Sequence, residues 1–147
     1  MRWLCKHIAL IMMGGCAYVL LEVIWRGYSH WTMFLLGGFL FVALGILNEN
    51  LTWEMSLIEQ AVLGACLVVA AELVTGLIVN CWLGMAVWDY SDLPYNLFGQ
   101  ICLPYAVLWV PVSLVAIILD DYLRWILFHE EKPHYHLISK FQCNRSN

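Results

Sequence analysis

Glu72 lies inside an apolar run, Ala61 to Val79, with no opposite charge near it in the sequence. The run has no polar face, so helix amphipathicity alone cannot put the carboxylate in water. A lone ionisable residue inside a membrane-length segment costs roughly 2.5–3.5 kcal/mol on insertion scales, and it needs a partner or a proton. The candidates are Glu22, Arg26 and His30 around the end of the first apolar run, and Trp88-Asp89-Tyr90-Ser91 after the third. Glu22, Glu72, Asp89 and Asp92 there face Arg26 alone and a titratable His30. If Glu22, Glu72 and Asp89 converge, Arg26 cannot neutralise all three. Like charges in a low dielectric disfavour joint ionisation, so one carboxylate then holds a proton or meets a cation. The chemistry to expect is proton-linked or cation-recognising.

Helical spacing groups these residues. Glu72, Gly76 and Asn80 follow i, i+4, i+8, with Gly64 and Val68 on the same face. Glu22 and Arg26 are four apart, as are Asn96 and Gln100. The candidate ligand-binding set is Glu22, Arg26, His30, Glu72, Asn80, Trp82, Trp88, Asp89, Tyr90, Asn96 and Gln100. Each has a plainer reading. Glu72 reads equally as a structural carboxylate capped by Asn80, a Trp N–H or a Tyr hydroxyl. Glu22–Arg26 reads as an interfacial ion pair with Arg26 snorkelling to headgroups. Asp89 reads as a turn cap, His30 as a headgroup contact, and Trp82 and Trp88 as interface-belt aromatics. No residue is assigned as catalytic. Cys81 and His30 lie on different hairpins, so nothing pairs them as nucleophile and base. His129, His134, His136 and Cys143 lack a recognised zinc spacing and read as a solvated tail. No metal or cofactor is expected.

The elements that position these groups are membrane helices. The 147 residues are 63% hydrophobic and 12% charged, with mean hydropathy +0.76. Soluble domains carry nearer 25% charge. The eight Trp and seven Tyr suit membrane interfaces. A net charge of −4 excludes a basic nucleic-acid surface. The six Cys form no CxxC. Cys81 and Cys102 fall near one membrane face, but spacing does not establish pairing, and free thiols are expected. Helices that cross a bilayer need roughly 17–25 residues. Ile8–Trp25, Trp31–Leu47, Leu57–Cys81 and Leu97–Leu119 qualify. The first reads as a membrane helix rather than a signal peptide, since no Ala-x-Ala site follows it. Pro104 and Pro111 are expected to bend or open the fourth. Asp120 to Phe128 is expected to continue it along the membrane surface. Gly37, Gly38 and Gly45 form a small-residue stripe that lets helices approach closely.

Basic residues orient the bundle. Arg2 and Lys6 precede the first span, and Arg124, Lys132, Lys140 and Arg145 follow or end the fourth. The second connection, Asn48–Ser56, has none. This bias places both termini in the cytoplasm of a cell membrane. The polar candidates then gather in the outer half, with Glu72 about 12 Å below the outer end of its helix at ~1.5 Å per residue. The inner half is expected to be almost purely apolar.

The stretches Ala71-Glu72-Leu73-Val74-Thr75-Gly76, Asn80-Cys81-Trp82, Trp88-Asp89-Tyr90-Ser91 and Asn96-Leu97-Phe98-Gly99-Gln100 together resemble a known pattern. It is that of the ABC-transporter type IV permease family, CmpB-like small integral membrane proteins of bacteria. Glu22, Gly27-Tyr28-Ser29-His30-Trp31 and Gly37-Gly38 also fit it. A eukaryotic transmembrane family carries a similar Glu-x-x-x-Gly and Trp-Asp-Tyr-Ser pairing. The resemblance runs from the first span to Trp109 and implies a transport component. The sequence has no phosphate-binding Walker loop, so ATP hydrolysis would fall to a separate ATPase subunit.

The expectation is therefore an all-α, polytopic four-helix membrane domain over residues 1–128, followed by a loose polar tail over 129–147. The leading function is a small permease-like transport component with an outer-leaflet polar site, surrounded by membrane lipids and forming a homo-oligomer or joining other membrane subunits. The alternatives are a membrane-embedded enzyme or lipid-headgroup-binding protein, and a non-catalytic scaffold in which the cluster only fixes helix register.

Overall fold

The computed structural model describes residues 2–50 and 55–135. It contains four long helices, α1 (Arg2–Arg26), α2 (Trp31–Asn50), α3 (Leu57–Gly76) and α4 (Leu103–Phe128). All four carry segments long and apolar enough to cross a membrane: Trp3–Arg26, Trp31–Glu49, Leu57–Trp82 and Leu103–Phe128. The chain is an all-α, multi-pass membrane protein. Four antiparallel passes put the ends of α1 and α4 together with the α2–α3 connection at one end of the bundle, the terminal end. The α1–α2 turn and residues 83–102 lie at the other, the loop end.

Local chemistry sets the boundaries. Gly27, at φ +83°, ends α1 in the left-handed region that favours glycine. Ser56 caps α3: its hydroxyl accepts from the Glu59 N–H at 3.3 Å while its own N–H donates to Glu59 at 2.8 Å. This reciprocal box satisfies donors that a helix start would leave orphaned. The last turns of the third span, Leu77–Trp82, wind as a π-helix rather than the continuous α-helix the periodicity predicts. Val79 thereby enters the interior with Met33, Val87 and Trp88.

The fourth span begins later than Leu97. Asn96–Leu97 (β1) and Ile101–Cys102 (β2) pair antiparallel, with Asn96 opposite Cys102 and Leu97 opposite Ile101. Phe98 and Gly99, at φ 54° and 66°, close the hairpin as the primed turns do. Pro104 sits in the first turn of α4, where a missing N–H costs nothing, so only Pro111 interrupts the helix. Beyond Leu119 the helix runs on unbroken to Phe128, and Asp120 and Arg124 are buried rather than spread on a membrane surface.

α1 packs on α2, α3 packs on α4, and α2 joins the two hairpins. Glycines make the α1–α2 contact close. Gly14 and Gly15 lie against Phe41 and Phe34, and Gly37 and Gly38 against Tyr18 and Ile11. Leu40, Leu44, Leu57, Val68 and Ile117 form the central core. Cys81 and Cys102 are both free thiols, the first exposed and the second buried. Residues 129–135, the start of the expected loose tail, fold back onto the terminal end. Lys6 pairs with Glu130 at 2.5 Å and Tyr135 donates to Asp121 at 2.6 Å. His136 and Cys143 lie outside the described residues.

Candidate functional site

Glu72 is 3% exposed, and its α3 face turns inward with Val68 and Gly76. The Trp109 indole N–H, from α4, donates to Oε2 at 2.7 Å. The Tyr18 hydroxyl, from α1, donates to Oε1 at 3.5 Å. The two rings stack with centroids 5.8 Å apart and 19° between planes. Three helices therefore meet at one carboxylate. Among the described residues no cation stands within ion-pair distance of it.

Arg26 is occupied elsewhere. It pairs with Glu22 at 2.7 Å, donates to the carbonyls of Tyr28 at 3.3 Å and Val87 at 3.2 Å, and lies over the Tyr28 ring. Glu22 also accepts from the Ser29 hydroxyl at 2.5 Å. The pair is local, as the i, i+4 spacing implies, and the Val87 bond ties the first hairpin to the long loop. His30 bonds Thr32 at the start of α2, 2.9 Å between Nδ1 and Oγ1.

A second knot fixes that loop. Asn80 donates to Gln100 Oε1 at 2.8 Å and accepts from the Val87 N–H at 2.7 Å. Gln100 donates to the Phe98 carbonyl at 3.0 Å, and its own carbonyl accepts from the Trp88 indole at 2.9 Å. Gly76 lies under the Gln100 side chain, where a Cβ would collide with it. Asn96 donates to the carbonyls of Ser91 and Leu93 at 3.0 and 2.8 Å.

Asp89 does not join the buried carboxylates. It is exposed and accepts from the Ser91 N–H at 2.9 Å and the Ser91 hydroxyl at 2.5 Å. Those two donors hold its carboxyl below the ordinary range. Tyr90 does face the site. Burial, then the negative charge of Glu72, pushes its phenol upward, and it stacks on Tyr105 at 4.8 Å. Trp82 is 79% exposed at the end of the third span, as a belt aromatic would be.

The Trp N–H and Tyr hydroxyl named as caps in the plainer reading of Glu72 belong to Trp109 and Tyr18, which the sequence did not single out. Trp109 lies inside α4, about two turns from its start, and a buried indole N–H needs an acceptor. That was the available signal. Reasoning also missed polarity at the terminal end, where the expected apolar half does not exist. Arg124, 2% exposed, donates to Asp120 at 2.5 Å and pairs with Glu49. Asn48 donates to both Asp121 oxygens at 2.8 and 2.9 Å. Asp120 and Arg124 stand four apart, the same signal that marked Glu22 and Arg26.

No curated protein and no solved structure matches the chain. Residues 9–138 match the family described as "Putative ABC-transporter type IV". That range holds most of the first span, the other three spans, the Glu72 site and the Trp-Asp-Tyr-Ser loop, so the chain belongs to this family of ABC-transporter-type membrane proteins.

Proposed function

We propose that the chain is a permease-like transport subunit whose polar site is built on Glu72. One observation carries the reading: a buried carboxylate inside the third span, held by two aromatic donors from two other helices, with no countercharge among the described residues. The Trp and Tyr donors would serve a structural carboxylate equally; what supports the transport reading is that Arg26 is spent on Glu22 and two carbonyls and leaves Glu72 without a cation. Glu72 then carries a proton or meets a cationic ligand in turn, the behaviour that intramembrane carboxylates serve in transporters. Family membership supports membrane subunits or an ATPase as partners. Four helices enclose little volume, so a full pathway uses more than one copy or another subunit.

Both termini are proposed to lie in the cytoplasm of a cell membrane, on the distribution of basic residues. Lys6, Arg124 and Lys132 gather at the terminal end against Arg26 at the other. The membrane domain is proposed to span residues 1–128, with 129–147 as an appended polar segment.

A second reading, a scaffold, is favoured by the Asn80–Gln100 knot, whose two side-chain amides are bonded to each other and to the loop backbone. The two are separated by Glu72→Gln, which keeps shape and hydrogen bonding but removes titration. Infrared difference spectra of reconstituted protein across a pH titration should show a carboxyl band that the variant lacks. Proteoliposomes with an entrapped pH-sensitive dye should show proton movement that the variant abolishes. Normal folding with unchanged flux and unchanged spectra would leave the scaffold.

A further inference from the structure

The bundle has a seam. α1 packs on α2 and α4 on α3, while α1 and α4 do not pack on each other along their length. Between them lies a groove of about 390 Å³, floored by α2 and walled by α1 and α4. Tyr18 and Leu21 line one wall, Leu108, Trp109 and Val112 the other, and Phe41 the floor. On α4 the groove runs from Leu108 to Leu119, about 17 Å at ~1.5 Å per residue.

Both ends of the seam are shut. At the loop end the Trp25 indole donates to the Tyr105 hydroxyl at 3.3 Å, joining α1 to α4. At the terminal end Leu123 and Phe128 pack against Leu10, Phe41 and Val42, and Lys6 pairs with Glu130. The groove is therefore a side window between two membrane spans. Its walls present hydrocarbon. No lining residue is charged, Tyr18 and Trp109 spend their donors on Glu72, and Ser113 is buried. An empty apolar void forfeits dispersion contacts that a hydrocarbon occupant restores.

Shape decides among occupants. A groove of that volume and length is roughly 5–6 Å across. An α-helix with its side chains is about 10–12 Å across, and a spanning helix of a second copy needs a seat along the whole ~30 Å core. One hydrocarbon chain fits the width, and the length matches about one leaflet, half of that core. A free fatty acid would bring a carboxylate for which the walls hold no cation.

We infer that this window seats one acyl chain of a bilayer phospholipid, taken in sideways between α1 and α4. The headgroup stays at the membrane surface, and the chain lies against the stacked Tyr18 and Trp109 rings that hold Glu72.

The test is photolabelling of the full chain in phosphatidylcholine nanodiscs, one copy per disc. The discs are doped with a phosphatidylcholine that carries a mid-chain diazirine, and adducts are mapped by peptide mass spectrometry. Leu21 and Leu108 should be labelled several-fold more than Leu63 and Leu67 on α3, which are comparably exposed. Ordinary surrounding lipid would label all four alike. Ala17→Phe and Val112→Phe fill the window from opposite walls. Each should cut the Leu21 and Leu108 adducts several-fold and leave those on Leu63 and Leu67 unchanged, so a variant that fails to fold leaves the other to decide. Added palmitate should not displace the label, and discs holding two copies should label as single-copy discs do. Uniform labelling, or indifference to both folded variants, would overturn the inference. Displacement by palmitate would give the window to a free fatty acid, and loss of labelling only in two-copy discs would give it to a partner helix; either result would overturn it too.

Discussion

Trp109→Phe is the most direct probe of how Glu72 is held. The substitution keeps an aromatic ring to stack on Tyr18 but removes the N–H that reaches Oε2 at 2.7 Å. The remaining donor, Tyr18 at 3.5 Å, is at the limit of a hydrogen bond. Bonds to charged groups contribute about 1.5–3 kcal/mol in soluble proteins. Interhelical bonds in membranes average nearer 0.6 kcal/mol, with a maximum of about 1.7, because the unfolded chain also finds partners in lipid. Glu72 has no cation and no second donor at good distance, which puts this bond at the upper end, about 1.5 kcal/mol. Shrinking the indole to a phenyl adds a packing loss of the order of 1 kcal/mol. A double-mutant cycle with Glu72→Leu, read by reversible unfolding in mixed detergent–dodecyl sulfate micelles, isolates the polar part. A coupling energy near 1.5 kcal/mol is expected. Additivity within about 0.5 kcal/mol would show that the indole N–H does not hold the carboxylate, and the argument for a three-helix junction at Glu72 would fail.

Arg124→Leu should be among the most damaging single changes, costing about 3–5 kcal/mol, because it leaves Asp120 buried without its cation. Adding Asp120→Leu should return most of that loss in the same unfolding assay, and a double variant no better than the single one would refute the pairing as the cause. Arg26→Gln should release the long loop from the first hairpin, seen as faster hydrogen exchange at Val87 and its neighbours, while exchange at the terminal end is unchanged. The bond from Ser91 depresses the Asp89 carboxyl in the folded state, so its contribution is present above the ordinary value of 3.8 and is lost as pH falls through the lower folded value. Ser91→Ala should raise the Asp89 titration, followed by carboxyl chemical shift, part of the way toward the ordinary range, since the Ser91 backbone N–H still donates.

Glu72 could be singled out in the sequence because nothing around it was polar, and the four spans because length and apolarity suffice for membrane helices. The partners of Glu72 were harder to read. Tyr18 and Trp109 lie 54 and 37 residues away, and no local spacing links them to it. Asp89 was grouped with Glu22 and Glu72 on charge alone, and Ser91, two residues on, captures it instead. The delayed start of α4 follows from turn chemistry at Phe98-Gly99, which an apolar window averages away. The terminal cluster was overlooked although Asp120 and Arg124 carry the ordinary i, i+4 spacing, because the helix was thought to have left the bundle by then.

Gly37 has no side chain, yet it bears on the site. Its bare α-carbon is the seat of the Tyr18 side chain, whose Cβ and ring occupy the volume a methyl group would need. A single added carbon there would push Tyr18 outward and withdraw its hydroxyl from the carboxylate. Inherited or engineered changes at Gly37 should therefore sort with losses of Tyr18 itself, and a survey that scores variants by side-chain chemistry would file them under the wrong cause.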